Sequence, residues 1–119
     1  MKTYISTPPD NVKVYTALLT QSSTDAPTAT VLQNTLGGTP EMSYEFTGAF
    51  DLFLTGAFTG TPVLLESAIF NENSGIFNAI KGEKIDNDTF RLRTFAAADL
   101  TSPANDILAT TLVNILVYP

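Results

Sequence analysis

The sequence predicts an all-β fold, an antiparallel β-sandwich of about eight short strands of jelly-roll or immunoglobulin-like kind. Three observations carry that expectation. Threonine is the most frequent residue, and Val, Ile, Phe and Tyr supply much of the rest, side chains that suit a pleated, half-buried surface. Apolar positions recur every second residue more often than every third or fourth. Turn signals divide the chain into short segments, the pattern of antiparallel β domains. At 119 residues the chain fits one domain. A chain of this length hides roughly two-thirds of its unfolded surface, so its core needs no staples.

The elements follow in order. Met1–Asn11, broken by Pro8-Pro9, reads as an N-terminal arm, and residues 12–119 read as the sandwich domain. Val12–Gln21 (VKVYTALLTQ) is the first strand, followed by a polar turn through Ser22–Ala26 and Pro27. Thr28–Leu36 is the second strand, ended by the breaker Gly37-Gly38-Thr39-Pro40. In Glu41–Phe46, Met42, Tyr44 and Phe46 take alternate positions.

The stretch TGAFDLFLTGAF, Thr47–Phe58, repeats four letters at eight-residue spacing. Read as strand Ala49–Thr55, it places Phe50, Leu52 and Leu54 on one face. Gly48 and Gly56 then mark similar exits at its two ends. Gly60-Thr61-Pro62 turns the chain into Val63–Phe70 (VLLESAIF), apolar on both faces except at Glu66 and Ser67. After the turn Asn71–Gly75 comes a short strand Ile76–Ile80, the charged stretch Lys81–Asp88, and the cleanly alternating Thr89–Phe95 (TFRLRTF). Ala96–Asn105 is a long connection with room for a helical turn, and Ile107–Tyr118 closes the domain.

That last strand is apolar on both faces, with Asn114 as its interruption. A strand of this kind is either central in a sheet or covered by another chain. Leu112, Asn114, Leu116 and Tyr118, with Tyr4 in the arm, are therefore the candidate interface residues.

Composition narrows the chemistry. There are no cysteines and no histidines, which removes thiol nucleophiles, thiolate metal sites, the commonest general base and the commonest transition-metal ligand. Six basic residues against twelve acidic give a net charge of −6, a sign that keeps copies apart and repels nucleic acid. The basic pairs Lys81/Lys84 and Arg91/Arg93 are too few for a phosphate track. Met1–Thr7 runs into prolines rather than an apolar stretch, and no run approaches the roughly 20 residues of a membrane helix. The expectation is a soluble protein with no membrane partner.

Individual sites are sparse. Ser67 lacks a nucleophile-elbow context, and scattered carboxylates show no cleft rich in aromatics. Asp86 and Asp88, with Glu83 nearby, offer the alternating oxygen ligands of a calcium loop but lack the glycine and distal glutamate of an EF-hand. A polar hairpin turn capped by its own side chains accounts for the same residues. Asp99 with Asn105 and Asp106 is a weaker candidate, and Asn87-Asp88-Thr89 is a chance-level sequon. Most of the phenylalanines suit a core, and the four tyrosines are the better surface candidates. No catalytic residue and no cofactor is assigned.

Val14–Pro40 (VYTALLTQSSTDAPTATVLQNTLGGTP), Leu54–Leu65 (LTGAFTGTPVLL) and Asn105–Pro119 (NDILATTLVNILVYP) resemble a pattern of small β-rich virion-type proteins of Bacteroidetes tailed phages and prophages. In those, Y-x-A-L-L-T-Q, a short A-P turn, T-V-L-x-N-T-L-G-G, a later G-A-F-T and a terminal I-x-V-Y occur in the same order. The chain departs from the pattern at Met42, where an aromatic is expected, and at Gly60-Thr61-Pro62, where a lysine is expected.

The resemblance implies a non-enzymatic virion component, capsid-decorating, head-fibre or tail-associated. It would be made in the bacterial host cytoplasm and released by lysis. Such a protein self-associates, a trimer suiting a particle surface, and docks on other virion proteins. The resemblance carries no functional residue across. The alternative is a receptor- or polysaccharide-binding module at a phage fibre tip, against which the absence of tryptophan counts.

Overall fold

A computed structural model describes residues 11–65, 68–71, 76–96 and 102–119, which form nine β-strands and no helix. The strands are β1 (Lys13–Thr20), β2 (Thr28–Asn34), β3 (Glu41–Phe46), β4 (Ala49–Phe53), β5 (Thr61–Leu64), β6 (Ala68–Asn71), β7 (Ile76–Lys84), β8 (Thr89–Phe95) and β9 (Thr111–Tyr118). They make two sheets, a four-stranded one in the order β2-β1-β9-β5 and a five-stranded one in the order β3-β4-β8-β7-β6. Every pairing is antiparallel. The predicted all-β sandwich is the fold, and the structure adds the strand order.

The core forms where the inward alternate positions of the two sheets meet. Tyr15, Ala17 and Leu19 of β1 and Val113, Ile115 and Val117 of β9 share one buried cluster with Phe50 and Leu52 of β4, Ile80 of β7, and Phe90 and Leu92 of β8. Full burial of each large side chain contributes about 2 kcal/mol before entropy is counted. Leu36, Ala57, Phe58 and Leu108 join from the connections, and the Phe58 ring stacks on Phe90 with centroids 5.6 Å apart.

The duplicated TGAF is two copies of one turn. Gly48 and Gly56 both adopt left-handed backbone, with φ of 68° and 71°. The alanine and phenylalanine that follow each glycine are buried. One turn closes the β3–β4 hairpin and the other ends the excursion after β4, so the strand has matching exits.

Three expected elements differ. Val63–Phe70 is not one strand. β5 pairs with β9 in the four-stranded sheet, while β6 pairs with β7 in the five-stranded sheet. An apolar run interrupted by Glu66-Ser67 thus serves both layers. The short strand expected over Ile76–Ile80 continues to Lys84, because Lys81 and Glu83 lie opposite Arg93 and Arg91 on the outer face and their charges stay in water. The last strand begins at Thr111 rather than Ile107. Ahead of it Asp106 and Thr110 take positive φ, 64° and 52°, while Leu108 still reaches the core. The arm up to Asp10, including Tyr4, lies outside the described residues, as do residues 97–101 within Ala96–Asn105. Of that connection, Pro103 bridges to Phe95, and Ala104 donates its N–H to the Thr94 carbonyl while its own carbonyl accepts the Thr94 hydroxyl.

Candidate functional site

The two outer faces of the sandwich differ in kind. On the five-stranded sheet the described strand charges balance, with Glu41, Glu45, Asp51 and Glu83 against Lys81, Lys84, Arg91 and Arg93. Among the described strand residues of the four-stranded sheet, Lys13 alone is charged.

The charges of the five-stranded sheet engage one another. Arg91 grips Asp51 with two bonds, Nε to Oδ1 at 2.7 Å and a terminal nitrogen to Oδ2 at 3.1 Å. That hydrogen bond is the main cause holding the Arg91 guanidinium above its ordinary pKa. Partial burial opposes it, and the nearby Asp51, Glu83 and Glu45 charges add to it. The Phe46 ring lies under both guanidinium groups, 5.2 Å from Arg91 and 5.1 Å from Arg93, and Arg93 also covers Phe95. Lys84 reaches away to the carbonyls of Thr59 and Gly60. This is a solvated face whose partners are local.

The outer face of the four-stranded sheet is built differently. Register places Val63 of β5, Leu116 of β9 and Val14 of β1 in one row across three strands. Leu112 lies opposite Leu18 in a second row. Between the rows, Asn114 lies opposite Thr16, whose hydroxyl donates to the Asn114 carboxamide oxygen at 2.9 Å. Leu65, just past β5, donates its N–H to the Asn114 carbonyl and so continues the outward alternation. Leu65 is 56% exposed, Leu112 41%, Tyr118 38% and Val63 37%. Antiparallel sheets commonly keep such a face polar. Here the Asn114 amide is paired within the sheet, and Gln33 of β2 lies opposite Thr16 at the sheet's edge. The aliphatic side chains of β1, β5 and β9 on this face are half-buried or exposed.

No protein-family model, curated protein or solved structure matches this chain. Any reading of its function therefore starts from this geometry and from the sequence pattern.

Four of the five candidate interface residues share that face. Leu112, Asn114, Leu116 and Tyr118 are its β9 column, and β9 is at once central in the sheet and open on its outer side. Tyr4 lies outside the described residues, as do Ser67 and Asp99. Val14, Leu18, Val63 and Leu65 were missed. Their signal was present, since VKVYTALL, with Val14 and Leu18, and VLLESAIF, with Val63 and Leu65, both carry apolar side chains on both parities.

Asp86 and Asp88 lie in the β7–β8 turn, and both act on backbone. Asp86 Oδ1 accepts the Asp88 N–H at 2.8 Å, and Asp88 Oδ1 accepts the Gly56 N–H at 2.8 Å. Among the described residues no three carboxylates gather into a possible metal site. Asn105 and Asp106 likewise cap backbone, Asn105 Oδ1 taking the Gly48 N–H and Asp106 Oδ1 the Ser23 N–H. A cleft of about 310 Å³ opens at the end of the sandwich between Lys13, Ala57, Gly60 and Tyr118, with mostly apolar walls. Among the described residues no helix is long and apolar enough to cross a membrane.

Proposed function

We propose that this protein is a structural, non-enzymatic component of a virus particle, one that associates with further copies of itself through the uncharged outer face of its four-stranded sheet. The observation that carries the reading is the contrast between the two faces. The excess negative charge of the chain, −6 in all, lies outside the described strands. Covering the five-stranded face would take its balanced charges out of water, whereas the outer face of the four-stranded sheet carries no charge to desolvate. The open aliphatic rows of β1, β5 and β9 supply apolar area to bury at that place. The virion assignment rests on the order of sequence segments shared with small phage and prophage proteins. It brings with it a capsid-decorating, head-fibre or tail-associated position, contact with other particle proteins, and release from the host by lysis.

Mass spectrometry of purified particles from the phage or induced prophage that encodes the chain tests the assignment. Copy number near that of the major capsid protein, or a simple fraction of it, supports a shell position, and a handful of copies supports the tail. Absence from the particle contradicts the assignment.

A further inference from the structure

We propose that β2 is an open sheet edge that pairs antiparallel with β2 of a second copy across a two-fold axis, joining two four-stranded sheets into one of eight strands. The inference deepens the self-association reading and rests on it.

Position comes first. β2 ends the order β2-β1-β9-β5, so its backbone has β1 on one side and, among the described residues, no strand on the other. An edge in this state presents unpaired N–H and C=O groups as a template for another strand, and natural proteins blunt it with charge or proline. The other edges with described side chains are blunted in this way, β5 by Pro62 and β3 by Glu41 and Glu45. β2, with the sequence TATVLQN, has neither.

Charge selects the occupant. No charged residue occurs between Asp25 and Glu41, the stretch that contains β2. A second copy carries the same net negative charge, and this uncharged edge is where its approach is least opposed.

Burial supports the same occupant. Thr28 to Gln33 are all exposed, on both faces of the strand, with Val31 at 44% and Leu32 at 57%. Within one copy the strand is ordered by its ladder to β1 and gains little from burial. Cross-strand neighbours from a second β2 cover part of that surface.

Geometry then limits the register. The ladder to β1 shifts between Thr16 and Ala17, which face Gln33 and Val31, so Leu32 is the extra residue of a bulge and the regular part of β2 is Thr28–Val31. A two-fold axis normal to the sheet keeps every side chain on its own face, so residues of like parity meet. Thr30 opposite Thr30 of the second copy, with Ala29 opposite Val31, is such a register. Threonine pairs across antiparallel strands are favourable.

Because the chain has no cysteine, single cysteines report the axis directly. Residues directly opposite in antiparallel strands lie about 4.5–5.5 Å apart at Cα, within disulfide reach. The test oxidises the full-length variants Thr28→Cys, Ala29→Cys, Thr30→Cys and Val31→Cys, with Phe53→Cys on the other sheet as control, alongside sedimentation of the unsubstituted chain. The inference expects self-association of the unsubstituted chain and covalent dimer from one β2 position at a yield at least tenfold above the control. Self-association with no cross-link above control at any of the four positions overturns edge pairing and leaves the sheet-face reading standing. A chain that stays monomeric at every concentration overturns both.

Discussion

Gly48 and Gly56 have the same backbone and the same kind of cap. Their φ values are 68° and 71°, and each donates its N–H to a side-chain oxygen from a distant loop, Asn105 at 2.9 Å for Gly48 and Asp88 at 2.8 Å for Gly56. The duplicated letters therefore encode a duplicated turn. The two sites still differ in their surroundings. A Cβ on Gly48 would stand 2.5 Å from the Thr94 carbonyl oxygen and 2.9 Å from the Ala104 nitrogen, whereas one on Gly56 would meet nothing within 4 Å.

Gly56→Ala should cost only the left-handed strain, about 1–2 kcal/mol. Gly48→Ala adds a backbone clash and should cost about 3 kcal/mol or more. Urea denaturation of the two variants checks the order, and equal losses would contradict it.

Asp88 should behave as a cap rather than a metal ligand. Its carboxylate holds the Gly56 N–H, and its own N–H is held by Asp86. Asp88→Ala should lose about 1–2 kcal/mol through the unsatisfied donor, and Asp88→Asn should keep most of it. Millimolar calcium should leave the melting temperature of the unsubstituted protein unchanged, while a clear rise on adding calcium would assign the turn to metal binding.

Gln21 should be among the most sensitive polar positions. It is 2% exposed, its amide nitrogen donates to the carbonyls of Ser23 and Asp25, and its amide oxygen accepts the Asp106 N–H. It ties the β1–β2 turn to the loop before β9. Gln21→Leu should cost about 3 kcal/mol, since several backbone groups lose partners together. Chemical denaturation reads the loss, and a change below about 1 kcal/mol would contradict the assignment.

Burial raises the Tyr15 phenol above its ordinary pKa of 10.0. The folded state therefore keeps this proton longer than the unfolded chain does. Its contribution to stability is whole below about pH 10 and is lost as pH climbs through the raised folded-state value. Urea midpoints measured between pH 8 and 11 should fall less steeply for Tyr15→Phe than for the unsubstituted protein. Identical slopes would contradict the prediction.

Much of this was legible in the sequence, and where it was not the reasons are specific. Local alternation revealed the bounds of Glu41–Phe46 and Thr89–Phe95 to the residue, and Thr89–Phe95 buries one face. In Glu41–Phe46 an irregularity between Tyr44 and Phe46 breaks the expected alternation and turns the Phe46 ring to the outer face, under Arg91 and Arg93. VLLESAIF misled because apolar side chains on both parities fit a single buried strand as well as two strands in different layers. Asp51 and Arg91 sit forty residues apart and become a pair only through the β4–β8 register, which one sequence does not display. The β9 column of the open face was visible in its two-sided apolar pattern. Its Val63 and Val14 neighbours needed the strand order to be placed beside it.

The central claim is that the uncharged outer face of the four-stranded sheet joins copies of this chain. Sedimentation velocity over a wide concentration range, on the unsubstituted protein and on the double variant Leu65→Asp, Leu112→Asp, tests it most directly. Both leucines are exposed, so the variant should keep its fold and its melting temperature. The account predicts concentration-dependent association of the unsubstituted protein beyond a dimer paired through β2, and a variant in which assembly beyond that dimer is weakened at least tenfold. Assembly beyond the dimer that survives both aspartates unchanged, or a protein that stays monomeric throughout, would contradict it.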